Sequence, residues 1–115
     1  MEVQKKLEQI KLNTNDMRNS NDKLWICFRE LLDKKGINSA TSILAEYHSE
    51  DGSLWEGILI TVNKNIFNFE FDFLHDDTTK PRFSSWKKID KPSDYYMPEY
   101  IKHGLDILSD SELKL

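Results

Sequence analysis

The sequence predicts an α+β fold in which N-terminal helices pack on an antiparallel β-meander of three to four strands, with a C-terminal helix. Two observations support this prediction. Apolar residues recur at helical spacing up to about residue 35, and from Ile37 the pattern changes to the two-residue period of strands. With 115 residues, 38% of them hydrophobic, the chain is expected to form a single domain over residues 1–115.

The N-terminal region is predicted to form two helices. The helical spacing of apolar residues over positions 3–31 would also fit one long helix. However, residues 13–21 are rich in Asn, Thr, Asp and Ser, whose side chains compete for backbone hydrogen bonds and favour caps and turns. We therefore expect one helix over about residues 2–17 and a second over about residues 21–35, with Ser20 or Asn21 as the N-cap of the second helix.

Three strands are predicted in the middle of the chain, over residues 38–47, 54–62 and 66–74. Turn-forming residues at 49–52 and 63–65 separate them, so neighbouring strands are expected to pair antiparallel.

The remaining elements are predicted after a polar loop. Residues 83–89 suggest a fourth strand or a short extended segment around Trp86. Residues 98–108 read as a closing helix with Pro98 near its start, although Gly104 weakens that prediction.

The third predicted strand has two chemically different faces. Because successive side chains of a strand point to opposite sides, its aromatic and polar residues separate completely. The aromatic face is expected to pack against the helices, since a shift of one residue would expose four rings and bury two carboxylates. The aromatic face consists of Phe67, Phe69, Phe71 and Phe73, and the polar face of Asn68, Glu70 and Asp72.

Negative charge is concentrated in the same middle region. Residues 41–79 contain eight acidic residues and one cation, Lys64, giving a net charge of −7 within a chain whose overall charge is −4. A rigid acidic sheet resembles a nucleic-acid backbone in charge and would attract a basic protein. The alternative is a solubilising outer face. The partner-binding residues predicted on this basis are Glu46, Glu56, Asn68, Glu70, Asp72, Asp76 and Asp77.

No catalytic, cofactor or metal site is predicted, and the chain is not expected to be an enzyme. Cys27, the only cysteine, lies inside a predicted amphipathic helix and is interpreted as a core residue. Groups at residues 48–51 and 75–77 contain His, Asp and Glu, but neither has the ligand spacing of a known zinc or calcium motif. They are interpreted as solvated loops.

Residues 80–91 offer an alternative binding segment, because Lys and Arg residues alternate there with Phe83 and Trp86. Such a segment could bind nucleic acid or a peptide as part of a small adaptor. The neighbouring acidic sheet would repel a phosphate backbone, so direct nucleic-acid binding is not expected. No apolar run is long enough for a membrane span and the N-terminus is polar, so a cytoplasmic protein without membrane contact is expected.

One segment resembles a known family. Residues 55–73 begin with Trp55, continue through a short polar turn at 63–65, and end in an alternation of aromatic and acidic or amide residues. Arg82 and the stretch 86–88, which joins a Trp to two Lys, follow downstream. This pattern is similar to the central hairpin of the YezG-like immunity proteins of bacterial polymorphic toxin systems, over about residues 53–90.

The resemblance implies a small cytosolic protein that binds and blocks a cognate toxin domain, often a nuclease, at its active site or at an exosite beside it. Together with the acidic strand residues, it predicts a basic toxin that is neutralised by stoichiometric occlusion. It implies no catalytic residues. The segment 95–115 looks like an additional helix relative to the family, and binding surfaces in such proteins diversify. Which residues meet a toxin is therefore not inherited from the resemblance.

Overall fold

The computed structural model describes residues 2–50, 54–73, 81–90 and 98–109, and it confirms the α+β prediction. Within these residues, four strands form one antiparallel sheet in the order β1-β2-β3-β4, so the segment around Trp86 is a true fourth strand. The elements are α1 (Glu2–Asn19), α2 (Lys23–Lys34), a 3-10 turn (Ser39–Thr41), β1 (Ile43–Glu50), β2 (Leu54–Ile60), β3 (Ile66–Asp72), β4 (Arg82–Lys88) and α3 (Pro98–Ser109).

The N-terminal region forms two helices, as predicted. Asp22 is the N-cap of α2, where its carboxylate accepts a hydrogen bond from Leu24 N at 2.9 Å; the sequence suggested Ser20 or Asn21 instead. The guanidinium of Arg29 donates to the carbonyls of Met17 and Ser20, at 2.9 and 2.7 Å. Arg29 therefore links α2 to the end of α1.

The first strand begins later than predicted. Asn38 does not start a strand, because its side chain accepts a hydrogen bond from Ala40 N at 2.9 Å and caps the 3-10 turn. The strand then runs from Ile43 to Glu50, past the predicted end at Tyr47. This extension places His48 in the sheet.

The aromatic face of β3 packs against α2, as predicted. Phe69 and Phe71 have no solvent exposure, whereas Phe67 and Phe73 are half-buried. Phe28 of α2 lies with its ring centroid 5.3 Å from the centroids of both buried rings. This larger core cluster consists of Met17, Trp25, Phe28, Leu32, Leu44, Leu59, Phe69 and Phe71.

The opposite face of the sheet is covered at one end by α3, so it is not the fully solvated surface that strand alternation suggested. Gly104 explains how closely the helix approaches: a Cβ there would lie 2.6 Å from Ile60 Cδ1 and 3.2 Å from Ala45 Cβ. The glycine that weakened the helix prediction is therefore needed for packing. This second cluster consists of Ile10, Ile43, Ala45, Ile58, Ile60, Ile66, Ile101 and Ile107.

Helix α1 lies along the outer edge of β1 and contributes to both clusters. Thr14 Oγ1 accepts a hydrogen bond from Leu44 N at 3.0 Å. The guanidinium of Arg18 donates to Ser42 O at 2.9 and 3.2 Å, and burial lowers the pKa of this side chain. Side chains of α1 thus satisfy edge groups of the sheet that another strand could otherwise bind.

Candidate functional site

Five of the seven predicted partner-binding residues lie on one face of the sheet, the face that α3 covers at one end. The cross-strand register sets Glu56 opposite Glu70, whereas the other residues lie opposite apolar residues or residues of β4. Asp76 and Asp77 lie outside the described residues. We use the name acidic face for the surface formed by Glu46, Glu56, Asn68, Glu70 and Asp72.

Two of these residues have largely buried side chains. Asn68 is 9% exposed and donates a hydrogen bond from Nδ2 to Gly57 O at 3.0 Å. Glu46 is 7% exposed. The accessible part of the acidic face therefore consists of the half-buried Glu56, Glu70 and Asp72.

His48 links two carboxylates of the acidic face. Its Nδ1 lies 3.0 Å from Glu46 Oε1 and its Nε2 lies 3.5 Å from Glu56 Oε1. The sequence prediction did not place His48 on this face, because it ended the strand at Tyr47 and interpreted residues 48–51 as a solvated loop. The alternation of Glu46 and His48 was the available signal, since both share a face once the strand continues.

Glu56 and Glu70 form a pair of like charges at the centre of the sheet. They are direct cross-strand neighbours on β2 and β3. Like charges in this position destabilise a sheet. The side chain of Glu70 forms no ion pair with another described residue, so no described cation neutralises it directly.

Cations of β4 border the acidic face. Arg82 lies opposite Asp72 and Lys87 lies opposite Asn68, and both cations are exposed. The sequence prediction grouped them with a separate basic segment, because it considered the cations of residues 80–91 together and did not pair that segment with β3. A bulge in the pairing, between Glu70 and Phe71, places Arg82 opposite Asp72. The acidic face is therefore a negative centre bounded on one side by positive charge.

The aromatic residues of β4 lie on the other side of the sheet. Trp86 stacks on Phe67 with centroids 4.9 Å apart, and Lys35 Nζ lies over the Trp86 ring, 4.6 Å from its centroid. A groove of about 500 Å³ lies beside them between the end of α2 and the β2–β3 turn. Because Lys35 already covers Trp86, this ring is poorly placed to stack on a nucleic-acid base.

Two further properties bear on possible functions. Among the described residues, no group of three or more His, Cys, Asp or Glu side chains could hold a metal ion. In the same part of the chain, no helix is both long and apolar enough to cross a membrane. The side chains at residues 50–51 and 75–77 lie outside this description. Cys27 is half-buried and packs against the larger core cluster, in line with its interpretation as a core residue.

Comparison with known proteins gives no relative: no protein family, no curated protein and no solved structure matches this chain.

Proposed function

We propose that this protein binds a basic partner protein through the acidic face and blocks it by stoichiometric occlusion, as an immunity protein blocks its toxin. The observation that carries the proposal is the opposed pair Glu56 and Glu70. Folding alone does not require this arrangement, since like charges across a strand pair cost stability. A cation from a partner would lie favourably between the two carboxylates and remove their repulsion.

The surroundings of the pair support a protein partner. The strands are fixed by packing on the aromatic side of the sheet, where Phe69 and Phe71 are fully buried, so the carboxylates project from a rigid surface. Contact of Glu56 with His48 also restricts its side chain. Rigid, preplaced charges lose little entropy on binding and accelerate the association of oppositely charged proteins.

A basic nuclease toxin is the partner class that fits this chemistry. Nuclease sites are positively charged because they bind phosphates, and a row of carboxylates can occupy them. The proposed role is inhibition without catalysis. An adaptor that binds nucleic acid through residues 80–91 is less well supported, because Trp86 is covered by Lys35.

The proposal can be tested with the protein encoded directly upstream of this gene. Its C-terminal domain should stop growth when produced alone, and co-production of this chain should restore growth through a one-to-one complex. The proposal would be refuted for that partner if the two proteins do not associate and if cells that produce both of them still lose viability.

The contact surface is tested by charge reversal. Glu70→Lys should weaken the complex by about 2–5 kcal/mol, since a buried charge pair would become a repulsive one. Glu30→Lys is the matched control, because Glu30 is exposed on α2 and undergoes the same change in charge. If a folded Glu70→Lys protein binds as tightly as the control, the acidic face is not the contact surface.

A further inference from the structure

The two outer edges of the sheet differ. At β1, Thr14 of α1 accepts a hydrogen bond from Leu44 N, and Arg18 donates to Ser42 O directly before the strand. At β4, no described strand pairs with the side that faces away from β3. An unpaired strand edge carries backbone donors and acceptors that can accept another strand.

The backbone groups that point to this open edge can be identified. Ile89 N donates to Ile66 O at 2.8 Å, and the register continues from there with Lys87 opposite Asn68 and Ser85 opposite Glu70. In an antiparallel ladder, alternate residues direct their backbone groups to the same neighbour. The N–H and C=O groups of Trp86 and Lys88 therefore point away from β3.

All charged residues of β4 are cations. Arg82, Lys87 and Lys88 are all exposed, and β4 contains no acidic residue. In an antiparallel pair of two copies centred on Ser85, Arg82 would lie opposite Lys88 of the second copy. Such like-charge pairs disfavour self-association through β4.

From this combination, we propose that β4 binds an extended acidic peptide segment of another protein, which adds to the sheet as a fifth strand. The backbone of the segment would pair with Trp86 and Lys88, and carboxylates at alternate positions of the segment would contact Lys88, which lies opposite Phe67 on the side of the sheet away from the acidic face. A peptide supplies alternating donors and acceptors that match the edge, whereas a nucleic-acid backbone supplies mainly acceptors. The surface is separate from the acidic face, so this proposal does not rest on toxin binding.

The first test uses backbone hydrogen exchange in the unliganded protein. The amides of Trp86 and Lys88 should exchange fast, whereas those of Ser85 and Lys87 should be protected by β3. If all four amides are equally protected, the edge is already occupied and the proposal is wrong.

The second test compares two short peptides with blocked termini. In the acidic peptide glutamate alternates with valine, and in the matched control peptide lysine replaces each glutamate. The acidic peptide should bind about tenfold more tightly at low salt. It should also slow exchange specifically at Trp86 and Lys88. Equal binding of both peptides, or binding without protection of these two amides, would overturn the proposal. Competition by single-stranded oligothymidylate that itself slows these amides would assign the edge to nucleic acid instead.

Two variants separate the backbone contribution from the charge contribution. Lys88→Pro removes an outward N–H that β3 does not use, and it should abolish protection of Trp86 by the peptide while Lys87 remains protected. Lys88→Gln keeps the N–H and should weaken binding only about threefold. If Lys88→Pro disrupts β4 itself, the amide pattern in the unmodified protein still decides the question. Unchanged peptide binding by a folded Lys88→Pro protein would contradict strand addition.

Discussion

Replacing Glu70 with glutamine should stabilise the protein, although the residue is proposed to bind a partner. Glu70 lies directly opposite Glu56 in the register of β2 and β3. Cβ atoms of such neighbours are about 5 Å apart. For a carboxylate separation of about 6 Å and an effective dielectric constant of about 40–80, the repulsion is about 0.7–1.4 kcal/mol. Solvent screening of these half-buried groups and the nearby His48 reduce this value, so we expect a gain of about 0.5 kcal/mol.

The gain can be measured by urea unfolding, followed by the fluorescence of the tryptophans that pack in the aromatic core. A gain of this size corresponds to a rise in Tm of about 2 °C. It should disappear in 1 M salt, where the Debye length is about 3 Å, and in a Glu56→Gln background, where no like charge remains. A stabilisation that persists in either condition, or a loss of stability, would show that repulsion between Glu56 and Glu70 is not the cause.

Other substitutions test the packing and the electrostatics of the fold. Phe69→Ala should lower the free energy of unfolding by about 3–5 kcal/mol in urea titrations, and a loss below about 1 kcal/mol would show that its ring is not in the core. Gly104→Ala should destabilise by about 1 kcal/mol in the same assay, because crowding against Ile60 outweighs the better helix propensity of alanine; a stabilised variant would contradict the close approach of α3. Burial, with a contribution from Asp16, raises the pKa of Tyr47 above its usual 10.0. The unfolded chain therefore loses this proton first, so the stabilisation is complete below about pH 10 and declines as pH rises further. Tyr47→Phe should make the urea midpoint less sensitive to pH between about pH 9 and 11, and an unchanged slope would rule out this linkage.

Strand alternation predicted the aromatic side of the sheet well, because a shift of one residue would expose Phe69 and Phe71, which are fully buried, and would bury Glu70 and Asp72. The same rule overestimated how open the opposite side is. Ile58 and Ile60 share that side with Glu56, and α3 covers them. The unbroken apolar run at residues 58–60 was a signal that both sides of this part of the sheet are buried.

The candidate site was only partly predictable for the same physical reason. Positions within one strand follow from local periodicity, so Glu70 and Asp72 could be assigned together from the sequence. Partners on other strands depend on register between segments that are distant along the chain, and bulges change it. The bulge in the β3–β4 pairing placed Arg82 beside Asp72, which no local pattern indicates.

The contact between α1 and β1 limits the size of any assembly built by strand addition. Continuous growth of a fibre requires two open sheet edges on each subunit, so that every added copy exposes a new edge for the next one. Thr14 and Arg18 obstruct the beginning of the β1 edge, where they bind Leu44 N and Ser42 O. Strand addition at β4 should therefore favour a single addition, with one partner segment bound to one chain.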